Sequence, residues 1–185
     1  MGESVDGRRE MERIEEYLQV VVPGMHSVTT EQLGNWENLS FSQDVLGAKS
    51  PWRFAAQSVS DGTLRALAVL VALFAPNATS PGVVGIEEPE SALHPGAAGV
   101  LLDALREASE ERQVLVTSHS PDLLDRADIS VDQIRAVRSI DGRTVIGPLD
   151  AAGTYAMRER LFTPGELLRS DQLQPSVAHD TVSQP

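Results

Sequence analysis

The sequence predicts an α/β domain built on a parallel βαβ unit, and three features of the chain support this. Two short apolar strands, Val83-Val84-Gly85-Ile86 and Gln113 to Thr117, are separated by a helix from about Pro95 to Glu110. Strand, crossover helix and strand at that spacing form a right-handed unit with parallel strands. A second, more apolar helix runs through Leu64, Leu67, Leu70, Val71 and Phe74 and opens at Ser60-Asp61-Gly62-Thr63, a start signal with capping residues. Downstream, Asp141-Gly142 lies between Ile134-Arg135-Ala136-Val137 and Arg143-Thr144-Val145-Ile146, which reads as a small β-hairpin.

In chain order, residues 1–7 lack an apolar pattern, and Met11, Ile14, Tyr17 and Leu18 then recur at helical steps. Pro23-Gly24 ends the segment that follows this amphipathic helix. Ser27-Val28-Thr29-Thr30 and Leu39-Ser40-Phe41-Ser42 read as strands. The helix that closes near Ala75-Pro76 is apolar almost all round, so it is expected to be buried, as are the two parallel strands. Pro164-Gly165 starts a short helix within Leu161 to Leu173, and the Pro-, Ser- and Gln-rich remainder is expected to be disordered. The expected division is residues 1–54 as a helix and mixed β segment, 55–173 as the main subdomain and 174–185 as a tail.

The chain has 185 residues, 41% of them hydrophobic, and a net charge of -12. That supports one globular core and repels phosphate backbones, so any nucleic-acid contact is expected to be local or supplied by a partner through the complete assembly. The absence of cysteine excludes disulfides, thiolate metal sites and cysteine nucleophiles. The first twenty residues are charged, unlike a signal peptide, and the longest apolar run, Ala66 to Ala75, is too short for a bilayer. A cytoplasmic protein without membrane contact is expected.

Three features gather chemistry at the carboxyl ends of the strands, where open α/β sheets bind ligands. Glu87 and Glu88 follow an apolar strand, where paired carboxylates are costly unless they hold a divalent cation or act as acid and base. The alternative for the pair alone is a solvated acidic loop. Ser118-His119-Ser120-Pro121 follows the neighbouring strand, so His119 belongs to the same edge and can donate to a phosphate oxygen or an attacking water, or simply cap and pack. Ser60, Asp61, Gly62 and Thr63 sit at the positive end of a helix, an anion site by construction. An ordinary N-cap by Ser60 or Asp61 is the simpler explanation there. A serine-histidine triad lacks a G-x-S-x-G elbow, His26, His94, His119 and His179 lack zinc spacing, and a phosphoesterase built on Glu87, Glu88 and Glu90 needs further carboxylates.

Taken in order, Val59-Ser60-Asp61-Gly62-Thr63-Leu64-Arg65, Val83 to Pro95 and Val114 to Ser120 resemble the signature motif, Walker B with D-loop, and switch histidine of ABC-type ATPases. The nearest flavour is the RecF-like, chromosome-maintenance-like and OLD-like AAA family ATPases. The resemblance covers residues 52–126 and, more loosely, Leu161 to Leu173. It implies a P-loop NTPase-like fold, ATP and Mg²⁺ as cofactors, and a second head domain as partner in a homo- or hetero-dimer. It further implies Glu87 as the Mg²⁺-linked acid, Glu88 as general base and His119 as sensor of the γ-phosphate. Ser60, Asp61, Gly62 and Thr63 would meet a nucleotide held by the second head, and Ser91 to Leu93 would form the D-loop.

Two departures from the family pattern matter. Glu87 stands where aspartate is usual, and no G-x-x-x-x-G-K-[ST] run exists. The only lysine, in Gly47-Ala48-Lys49-Ser50, lacks the upstream glycine spacing and is read as a coincidence. The expectation is therefore the C-terminal half of an ATPase head, with the P-loop half missing and supplied by an N-terminal piece or another polypeptide. Such a chain would be an ATPase when completed and weak or inactive alone. The competing expectation is a non-catalytic, truncated module acting through its partner.

Overall fold

The computed structural model describes residues 5–75, 82–91, 97–125 and 129–176. Two compact units result, one reaching His119 and the other beginning at Ser120.

In the first unit, α1 (Val5–Val21) leads into β1 (Met25–Leu33) and β2 (Trp36–Gln43), and β3 (Trp52–Ala55) completes an antiparallel sheet of order β1-β2-β3. Both strands expected before residue 54 are present and longer than their apolar cores suggested, while β3 was not foreseen. Gly24 and Gly34, at φ +84° and +64°, sit in the turns that enter β1 and join β1 to β2. The Glu15 carboxylate accepts the Val28 N–H at 2.9 Å and so ties α1 to β1.

Helix α2 (Asp61–Phe74), β4 (Val83–Glu87), α3 (Ala98–Ser109) and β5 (Gln113–Thr117) form the expected βαβ region, with β4 and β5 parallel and in register from Val83↔Gln113 to Glu87↔Thr117. Ile14 and Leu18 of α1, Leu67, Leu70 and Leu73 of α2, and Leu101 and Leu105 of α3 are buried among these elements. Full burial of each such side chain contributes about 1.5–3 kcal/mol. The Tyr17 ring stacks on Phe74, with centroids 5.5 Å apart.

Two expectations of burial fail here. Val83 and Leu115 are 60% and 57% exposed, while Val84, Ile86, Val114 and Val116 on the alternate face are half-buried. The cause is the sheet's size: β4 and β5 pair only with each other among the described residues, and α2 and α3 pack on them without covering the face that carries Gly85 and Leu115. For the same reason α2 is not buried all round; Arg65, Ala68, Val71 and Ala72 are exposed.

In the second unit, α4 (Pro121–Leu124) precedes β6 (Ala136–Ile140) and β7 (Arg143–Gly147). The hairpin closes at Asp141-Gly142, both at positive φ, as a two-residue turn of this hand requires. Its first strand begins at Ala136 and not at Ile134, because Ile134 caps a 3-10 turn and packs with Leu149 and Leu167 in a small core. Helices α5 (Ala151–Arg158) and α6 (Pro164–Arg169) follow. The start of the expected disordered tail is in fact bound: Asp150 N donates to Gln174 O at 2.9 Å, Ser176 N donates to Pro148 O at 2.7 Å, and Pro175 is buried. Residues 177–185 lie outside the described residues.

Candidate functional site

The site is built where β4 ends. Glu87 is the last residue of the strand and pairs with Thr117. The ladder continues one step further, with Glu88 N–H donating to Thr117 O at 2.9 Å, and the chain then turns with Glu88 at φ +43°. That left-handed conformation costs a residue with a side chain about 1–3 kcal/mol and persists only where its surroundings fix it. Here the Glu88 carbonyl accepts from Ser91 N at 3.0 Å, from Ser91 Oγ at 2.9 Å and from Arg65 Nη2 at 3.0 Å. The same Nη2 donates to Glu87 O at 3.0 Å. Pro89, the next residue, is buried, and its ring fixes its own φ.

The turn directs the side chains to the sheet edge. Glu88 Oε1 lies 3.3 Å from His119 Nε2, so the pair can share or relay a proton where it is open to solvent and ligand. Glu87 is exposed beside it. Glu90 Oε1 accepts the Ser118 hydroxyl, joining the segments after β4 and after β5, while Glu90 Oε2 is buried and without a hydrogen-bond partner. Among the described residues no group of three His, Asp or Glu side chains is arranged to hold a metal ion.

The start of α2 has its own hydrogen bonds. Ser60 Oγ accepts the Thr63 N–H at 3.2 Å and lies 2.9 Å from Thr63 Oγ1, and Leu64 N–H donates to Ser60 O at 3.1 Å. Ser60 is therefore an N-cap, as the simpler explanation had it, and Thr63 is buried. Asp61 and Gly62 occupy the first two helical positions, whose N–H groups have no intrahelical acceptor. Among the described residues no hydrogen bond or ion pair joins Ser60 to Thr63 with Glu87, Glu88 or His119.

The structure thus joins Glu88 to His119 and to Ser91, with Glu87 next to them as the last residue of β4, while Ser60 to Thr63 make no hydrogen bond with them among the described residues. Residues 92–96 of the expected D-loop and following helix start lie outside the described residues. Gly47-Ala48-Lys49-Ser50 lies in a loop that enters β3 and not a helix, so it forms no phosphate cradle. The residue that sequence reasoning left without a role is Arg65, and its one signal was being the only basic residue in an apolar helix.

Comparison with known proteins bears on the family and the fold. Residues 41–125 match the family described as "AAA domain, putative AbiEii toxin, Type IV TA system". No curated protein matches the chain. Among solved structures, the chain is similar to one from work on ATP-driven dimerization and DNA-stimulated activation of SMC ATPases, at 19% identity and a TM-score of 0.53, covering 83% of this chain and 93% of that one. The Smc head domain with coiled coil and joint from Pyrococcus yayanosii gives 17% identity and a TM-score of 0.55 over 84% of this chain. The Smc head bound to the C-terminal domain of ScpA from Pyrococcus furiosus gives 15% and 0.53 over 83%. Of these two head chains the present one spans only 29% and 38%. Likeness at such identity is likeness of fold. Residues 41–125 thus match an AAA domain family model, within a mixed α/β fold similar to that of SMC heads.

Proposed function

We propose that this chain supplies the signature, Walker B and switch segments of an ABC-type ATPase head, which binds and hydrolyses ATP with Mg²⁺ once a P-loop half and a second head complete it. The observation that carries this is Glu88 and His119 lying 3.3 Å apart at the carboxyl edge of β4 and β5, next to Glu87, the last residue of β4. In this role Glu88 is the general base: it orients a water and takes its proton as the water oxygen bonds to the γ-phosphorus and the β-γ bridging bond breaks, leaving ADP and phosphate. His119 donates a hydrogen bond to a γ-phosphate oxygen, and Ser91 faces the second head.

The residues present suit a nucleotide-borne Mg²⁺, since Glu87 offers one exposed carboxylate and no three-ligand group accompanies it among the described residues. Mg²⁺ of this kind binds through one or two carboxylates, phosphates and waters, and when bound it neutralises charge on the transferred phosphoryl group. Glu87 would be its protein ligand. With the Ser60 hydroxyl engaged as cap, the N–H groups of Asp61 and Gly62 are the donors α2 offers to the γ-phosphate of a nucleotide on the second head. The open face of β4 and β5, with Val83 and Leu115 exposed, is where the P-loop half would pack.

A second reading is favoured by the lack of any P-loop run in the sequence: a non-catalytic module that folds against a partner and regulates it. Calorimetric titration of Mg-ATP into the purified chain separates the two. Saturable binding by the chain together with a P-loop half, surviving Glu88→Gln while hydrolysis is abolished in that variant, is the expected result. Unchanged turnover in Glu88→Gln would remove the general-base role, and absence of binding with or without a P-loop half would leave the regulatory module.

A further inference from the structure

We infer that Arg65 is a positioning residue for Glu88, aiming the carboxylate through the backbone of the turn that carries it, a role that rests on Glu88 being the general base. Successive carbonyls of an extended strand point to opposite sides, so one donor can reach two of them only where the chain turns. Arg65 Nη2 does so, donating at 3.0 Å to both Glu87 O and Glu88 O, and the turn that makes this geometry available is Glu88 at φ +43°. Ser91 N–H and Oγ close on the same Glu88 oxygen from the far side of the turn. The Glu88 carbonyl is thereby held by donors from two elements, and the side chain, fixed at its root, reaches His119.

The chemistry suits arginine. Its guanidinium stays charged and planar, and a charge-assisted donor between two carbonyls is about twice as strong as a neutral one. Arg65 is exposed and is the only basic residue of α2. Its loss removes no core contact, so a variant is expected to fold. Arg65 donates to backbone oxygens and not to the Glu88 carboxylate, so it acts on the reacting group only through the turn.

The test uses the full chain with Arg65→Met and Arg65→Lys. Amide hydrogen exchange read by NMR is expected to quicken about tenfold at Glu88 and Ser91 in Arg65→Met, the loss of one net hydrogen bond, with Leu70 and Leu73 of α2 unchanged. Arg65→Lys, whose ammonium can also donate to two carbonyls, is expected to restore most of the protection. In Mg-ATP turnover, measured on the chain alone and with a P-loop half, Arg65→Met is expected to lower kcat about 10–100-fold at unchanged KM, as a misplaced base does. Unchanged exchange at Glu88 and Ser91, or a raised KM with kcat preserved, overturns the positioning role. Absence of turnover in the wild-type chain in both settings overturns the general-base reading instead, and the exchange data then judge Arg65 independently.

Discussion

Glu88 combines two demands that conflict in a single residue. Its position calls for a carboxylate at the sheet edge, while its backbone, at φ +43°, is one that glycine adopts freely and side-chain residues resist. Glu88→Gly is therefore expected to unfold in urea within about 1 kcal/mol of wild type, with strain relief offset by chain entropy. Glu88→Val, branched at Cβ in a region closed to such residues, is expected to lose about 1–3 kcal/mol. Equal stability of the two variants would mean that the turn carries no strain. Strain kept at a residue of this kind is a sign of function, because a structural turn would gain from glycine.

At the scale of elements, the second unit is fastened by one carboxylate. Asp125, at the end of α4, accepts from Thr163 Oγ1 and, at 2.6 Å, from Arg169 Nη1, and Arg169 Nη2 reaches Asp122 at 3.2 Å. Gly165 is required beside it, since a Cβ there would fall 2.1 Å from Asp125 Oδ1 and 2.5 Å from Pro121 O. Burial alone pushes the Asp125 carboxyl up, but the hydrogen bonds of Thr163 and Arg169, the arginine charge and the Gly165 N–H together hold it below the ordinary aspartate range. A folded-state value below the unfolded one, about 3.9, gives a stabilisation that is complete above about pH 5 and disappears as acid protonates the group. Asp125→Asn is expected to cost about 1–2 kcal/mol at pH 7 and to flatten the acid limb of stability against pH below about pH 4. Thermal unfolding across pH 2–7 checks this, and an unchanged acid limb would count against it. Elsewhere in this unit, α5 escaped sequence reasoning because Ala-Ala-Gly-Thr carries no apolar stripe. Its start is set by Asp150, whose side chain accepts the Gly153 N–H at 2.7 Å.

For the whole molecule the open sheet face is the feature with consequences. Parallel strands are ordinarily covered on both faces, yet Val83 and Leu115 remain more than half exposed. Leu115→Asp is expected to change the stability of this chain by no more than about 0.5 kcal/mol, as exposed substitutions do, and to abolish assembly with a P-loop half in size-exclusion chromatography. A large loss of stability in the chain by itself would mean that the face is already covered. No helix among the described residues is long and apolar enough to cross a membrane.

How much was legible in the sequence follows from where each signal resides. The βαβ order, the long helix with its Ser60 cap, the Asp141-Gly142 hairpin and the acidic pair beside a histidine are carried by residues close in sequence. Local propensity, hydrophobic period and turn chemistry were enough to read them. The parallel order already put His119 at the same sheet edge as the glutamates, while the register that sets Glu87 against Thr117 and Glu88 beside His119 came from the structure. Tertiary structure alone decided the rest. The left-handed turn at Glu88, the reach of Arg65 across 23 residues to its carbonyl, the binding of Gln174 to Ser176 and the uncovered face of β4 and β5 depend on contacts between distant segments. Burial in particular is a property of what surrounds a strand, so an apolar run could announce β4 but not whether anything covers it.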